Sequence, residues 1–135
     1  MKLIGLVTVA LLLAPLAWAQ EAAAPELHGI KLERVATSTQ VADRQPVGES
    51  TSFPVEVGTV YCYTQLQRAE GETKITHVWY HGEKEMARVD LPVRSSSWRT
   101  WSSKKIPAAW SGDWKVVILD EAGERLGSTS FTVGG

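Results

Sequence analysis

The segment "MARVDLPV" separates its side chains by parity: Ala87, Val89, Leu91 and Val93 are apolar, and the intervening Arg88 and Asp90 are charged. Successive residues of a strand point to opposite sides, so this alternation predicts a half-buried strand with the apolar set toward a core. "TVYCYTQL" reads the same way, with Val60, Cys62 and Leu66 inward and Tyr61 and Tyr63 outward. Near the end of the chain Phe131 and Val133 point in. From Ile30 onward, segments rich in valine, tyrosine, threonine and tryptophan alternate with glycine, proline and serine at a spacing of about ten residues, the signature of an all-β domain. No later window sustains a helical period.

Seven strands are expected, near residues 31–37, 57–66, 74–80, 86–93, 98–103, 114–119 and 126–133. "YHGEKE" and "DEAGE" are glycine-containing turns of hairpin length, so the strands flanking each should pair antiparallel. Residues 38–56, with Pro46, Gly48 and Pro54, form a long polar connection with room for a short edge strand.

The first twenty residues, "MKLIGLVTVALLLAPLAWAQ", change the picture of where the domain works. A basic start at Lys2, an apolar run and the triplet Ala17-Trp18-Ala19 are the layout of a secretory signal peptide over residues 1–19. The apolar run is shorter than the roughly 20 residues needed to span a bilayer. The mature protein is therefore expected to be soluble and periplasmic or secreted, without a transmembrane segment. Residues 20–29, "QEAAAPELHG", suit a flexible tether, leaving residues 30–135 as one domain.

Removing 19 of 135 residues leaves 116, enough for a single core. Without Lys2 the chain holds 13 basic and 15 acidic residues, interspersed, which gives no electrostatic footprint for nucleic acid. Cys62 is the single cysteine, so no internal disulfide can form.

Cys62, then Trp79 in "VWYHG" 17 residues on, then "SGDWKV" with Trp114 and Val116, resemble in order the immunoglobulin-like sandwich without its disulfide. The fold expected is thus an all-β, immunoglobulin-like antiparallel sandwich of about seven strands. "THVWYHG", "WRTWSSKK" and "GDWKVVILDEAGERLGSTSF" further resemble the bacterial family catalogued as domain of unknown function 2914, over roughly residues 57–133. That resemblance implies an exported or membrane-associated β domain and carries no established activity.

Catalytic chemistry finds little support. The histidines, His28, His77 and His81, do not converge with a carboxylate on any strained serine elbow, and Cys62 occupies a core position. Glu83/Glu85 and Asp120/Glu121 lie in turns. His77 and His81 share a strand face but stand about 13 Å apart at roughly 3.3 Å per residue, too far for one metal. No catalytic residue, metal or cofactor is expected.

The aromatic residues are the remaining lead. In "SSSWRTWSSKK" an extended strand turns Trp98 and Trp101 to opposite faces. Counting back from Trp114 favours Trp101 inside, whereas keeping Arg99 out of the core favours Trp98. Either tryptophan would join Tyr61 and Tyr63 on an outer face if the second and fifth strands pair. "HVW" and "RTW" each set a polar residue two places before a tryptophan, so His77, Trp79, Arg99 and Trp101 would form two cation-plus-indole pairs if both faces look out, or bury an imidazole and a guanidinium if both look in, and the sandwich resemblance puts Trp79 inside. The expected function is a non-catalytic binding module taking a cell-envelope polysaccharide or a protein partner through Tyr61, Tyr63, His77, Trp79, Arg99 and Trp101. A purely structural periplasmic domain without ligand is the alternative, and an enzyme or metal-binding protein a weaker one.

Overall fold

The computed structural model describes residues 29–135, so the expected signal peptide and all but the last residue of the expected tether lie outside the described residues. Ten strands follow: β1 (Lys31–Ser38), β2 (Gln40–Ala42), β3 (Gln45–Val47), β4 (Ser52–Phe53), β5 (Gly58–Gln67), β6 (Thr73–His81), β7 (Lys84–Val93), β8 (Ser97–Ile106), β9 (Gly112–Leu119) and β10 (Arg125–Val133). The seven long ones are those the alternation predicts. β4 is the short strand for which residues 38–56 left room, whereas the pair β2 and β3 was not anticipated.

A three-stranded sheet in the order β1-β5-β8 packs on a five-stranded sheet in the order β4-β10-β9-β6-β7. All pairings are antiparallel except β4 with β10. Both expected hairpins form, β6 with β7 and β9 with β10. The result is an antiparallel β-sandwich whose strand order is compatible with the immunoglobulin-like scheme.

The core lies between the sheets. Val60, Cys62 and Leu66 of β5 meet Ile75 and Trp79 of β6, Trp114, Val116 and Ile118 of β9, and Phe131 and Val133 of β10. Phe131 is edge-on to Trp79 and stacked on Trp114, with centroids 6.2 Å and 6.0 Å away, so the three large rings interlock without a disulfide. Cys62 is a free, buried thiol. The inward set of β7 needs one correction. Val93 is buried, but Ala87, Val89 and Leu91 are only partly so, because β7 ends its sheet and is covered from one side.

β2 and β3 pair with each other alone, and their hairpin folds over the outer face of the three-stranded sheet. Asp43 and Arg44 at its tip have φ of 52° and 61°. Two successive left-handed residues twist a tight turn in the hand that strand pairs prefer.

Candidate functional site

β5 and β8 run side by side in unbroken register, opposing Cys62 to Ser102, Tyr63 to Trp101 and Gln65 to Arg99. This settles the tryptophan question. Trp98, opposite Leu66, packs against the core, and Trp101, opposite Tyr63, lies on the outer face. Placing Trp101 outside also keeps the Arg99 guanidinium out of the core, the cost that the sequence weighed against the opposite choice. "HVW" and "RTW" therefore point in opposite directions relative to the core, and the six expected residues divide into two groups.

Tyr61, Tyr63, Arg99 and Trp101 share the outer face of the three-stranded sheet. Tyr63 points outward as expected yet is fully buried, because the β2–β3 hairpin covers it and its hydroxyl donates to the Arg44 carbonyl at 3.1 Å. Its ring stacks on Trp101 at 6.2 Å and 15°, and the Arg34 guanidinium lies 5.8 Å from its centroid. Tyr61, Arg99 and Trp101 remain half-buried at the margin of the hairpin. Arg99 reaches the Arg44 carbonyl only at 3.4 Å, which leaves most of its five donors free. The expected open patch of three aromatics is thus reduced to one indole on a buried phenol, beside a guanidinium and Tyr61.

His77 and Trp79 face inward and are fully buried, so in this arrangement neither offers a surface to a ligand. They belong to a polar relay inside the sandwich. Trp79 Nε1–H donates to Ser102 Oγ at 3.1 Å, and Thr64 Oγ1–H donates to the Thr100 carbonyl at 2.8 Å. Having spent its proton, the Thr64 hydroxyl can only accept from His77 Nε2–H, at 3.3 Å. The neutral ring then has only Nδ1 left to accept, from the Ser102 hydroxyl at 2.6 Å. The direction of every bond follows from its two ends, a donor-only indole and an acceptor-only carbonyl. Burial pulls the His77 pKa down from 6.5 to about 4, which keeps the imidazole neutral near pH 7. Burial likewise pushes the Cys62 thiol up.

Thr64, Ser102 and the hairpin residue Arg44 are members that the sequence reading passed over. Thr64 is the skipped member of the inward set Val60, Cys62 and Leu66. A hydroxyl at an inward position, opposite a strand supplying histidine and tryptophan, was the available signal.

Charge distinguishes the outer face. Lys31, Arg34, Arg99 and Lys105 project from the three strands by register, and Arg44 from the hairpin. Arg34 is paired with Glu49 at 2.6 Å, leaving a surplus of cations on this face. Elsewhere, His81 stacks on Trp114 at 4.9 Å and bonds the Ser111 carbonyl at 2.8 Å, so the two histidines have unrelated surroundings. A recess of about 560 Å³ against the five-stranded sheet is lined by Thr51, Asp113, Lys115, Ser130 and Thr132 among others, and none of the six expected residues reaches it.

Comparison with known proteins gives a family segment and little more. Residues 72–133 match the model of the family described as "Protein of unknown function (DUF2914)", the family that the three motifs resemble. The match begins at β6, so β1 to β5, including the hairpin and Tyr63, precede it. No curated protein matches the chain. Among solved structures, two of a β-glucosidase from Listeria innocua are similar: a D270A mutant with laminaribiose at 7% identity and TM-score 0.43, and a glucose complex at 8% and 0.44. Each likeness covers 78% of this chain and 16% of the other. The chain therefore spans about a sixth of the length of those enzymes.

Proposed function

Taking as premise that residues 72–133 match a family of unassigned function, we propose that this chain is a non-catalytic, exported binding module. It reads an acidic or hydroxyl-rich envelope glycan with the outer face of its three-stranded sheet. One observation carries the reading: the Trp101 indole is half-exposed, held parallel on the buried Tyr63 ring, with Arg99 two residues away on the same strand face. A pre-positioned indole stacks on a sugar ring at small entropic cost, and a guanidinium beside it binds a carboxylate through paired donors.

Affinity electrophoresis through an acidic cell-envelope polysaccharide tests the reading. Wild type should be retarded, and both Trp101→Ala and Arg99→Ala should lose about tenfold or more in apparent affinity, as one stacked ring or one charged hydrogen bond supplies. Their stability should change by no more than about 1.5 kcal/mol, the value of an aromatic pair. Unaltered retention of both variants, or no retardation of wild type, rejects the glycan reading. A purely structural role has its own support: among the described residues Val47, at 44%, is the one large hydrophobic side chain that is exposed rather than buried or half-buried.

A further inference from the structure

A free strand edge presents unpaired N–H and C=O groups to any extended chain, and folded proteins ordinarily guard such edges with bulges, prolines, charged side chains or short strands. Three edges of this sandwich are guarded. β1 is bulged between Leu32 and Arg34, and near its end the Thr37 carbonyl accepts Ser50 N–H at 3.0 Å. β7 carries Pro92, the alternating charges of Glu85, Arg88 and Asp90, and a register shift against β6. β4 has two residues and is followed by Pro54.

β8 is different. It runs ten residues, contains no proline, and keeps unbroken register with β5 from Ser97 opposite Gln67 to Ile106 opposite Gly58. Among the described residues its other edge has no backbone partner. Arg99, Lys104 and Lys105 lie along it with no acidic residue, and Arg94 precedes it.

We propose that the free edge of β8 docks an extended acidic peptide segment of a partner protein as an added strand. Backbone hydrogen bonds would supply the pairing, and Arg99 and Lys105, which share one face, would select glutamate or aspartate at the facing positions, while Lys104 points the other way and lies 5.1 Å from the Trp110 ring centroid. A second copy of this chain is the wrong occupant. Antiparallel pairing of β8 with itself would set Arg99 against Lys104 or Lys105, and like charges directly opposite destabilise a strand pair. The proposal shares Arg99 with the glycan reading but rests on the free strand edge and Lys105, not on the Trp101 indole.

The test uses a synthetic peptide as long as β8, alternating glutamate and valine, titrated against the full protein with hydrogen exchange read along the chain. Binding should slow exchange of β8 amides selectively. N-methylation of alternate peptide residues should weaken it at least about tenfold, because each blocked N–H removes a ladder bond. A lysine-for-glutamate peptide should not bind, and Lys105→Glu, an exposed change, should weaken the acidic peptide several-fold. Equal binding of the N-methylated or the lysine peptide, unchanged affinity of Lys105→Glu, or a peptide-free dimer protected at β8 would each overturn the proposal. Polysaccharide retention, measured separately on the same proteins, can fail without touching this result, and the reverse also holds.

Discussion

Acidification should weaken this domain through His77 before carboxylate protonation dominates. The imidazole is fully buried and its two nitrogens are committed to Thr64 and Ser102, so a second ring proton would leave Nδ1 donating into a hydroxyl that already donates to it. In the unfolded chain His77 takes up a proton near its ordinary value of 6.5, whereas in the folded chain it does so at about 4. Between those values the unfolded state binds more protons, so stability is highest above pH 6.5, falls as pH drops, and levels off below pH 4. The interval, at about 1.4 kcal/mol per pH unit, makes the loss about 3 kcal/mol. For a domain of this size that is roughly 10–20 °C in melting temperature.

Urea melts of wild type and His77→Gln from about pH 7.5 to about pH 4 isolate the effect, because every other titrating group is common to both proteins and cancels in the difference. Glutamine retains a donor and an acceptor but cannot titrate. At the upper end the variant should be less stable by about 1–2 kcal/mol, for imperfect hydrogen bonding. The two curves should then converge or cross as pH falls. Parallel curves would refute the buried neutral imidazole. Nitrogen NMR provides a second check: the ring should be the Nε2–H tautomer, and a proton on Nδ1 would refute the direction assigned to the relay.

Two further changes probe the packing around it. Cys62→Ser should cost about 1–3 kcal/mol, since a hydroxyl replaces a buried thiol in an apolar setting, and in the native protein a thiol reagent should label Cys62 only as fast as the domain opens globally. Rapid labelling of folded protein would contradict the burial. Tyr63→Phe removes the hydroxyl that holds the Arg44 carbonyl and should cost about 0.5–1.5 kcal/mol, with faster amide exchange confined to β2 and β3. Exchange that is unchanged in the hairpin, or faster throughout β5 and β8, would show that this bond does not fasten it.

The long strands were legible because their alternation and glycine turns agree, and local and tertiary preferences then coincide. The β2–β3 hairpin was hidden for the opposite reason. Its tip, Asp43-Arg44, adopts left-handed backbone without glycine or asparagine, and Pro46 argues against a strand unless the strand has a free side. Missing it meant reading Tyr63 as exposed. Direction in a strand follows from parity, but depth depends on what lies across the face, and that cover comes from a segment 19 positions away. His77 and Trp79 were ambiguous on a similar ground. Parity puts them on one face without saying which, the sandwich resemblance favours Trp79 inside, and the structure agrees, with Ser102 and Thr64 meeting them from the opposite sheet. Ala87, Val89 and Leu91 faced the right way, but the edge position of β7, invisible along the sequence, limits how deeply they are buried.

The relay also bears on how the domain tolerates its chemical surroundings. Domains of this architecture can fasten their two sheets with a covalent bridge at the position of Cys62, and such a bridge ties folding to an oxidant. Here the fastening runs from Trp79 and His77 on one sheet to Ser102 and Thr64 on the other, through bonds that neither thiols nor oxidants exchange. The fold is consequently indifferent to redox potential, so production in a reducing cytoplasm should deliver the same domain as production in an oxidising compartment. The link is conditional on geometry instead. Sliding one sheet over the other by a single residue pair would break its inter-sheet bonds together, which makes the relay a registration pin as much as a clasp.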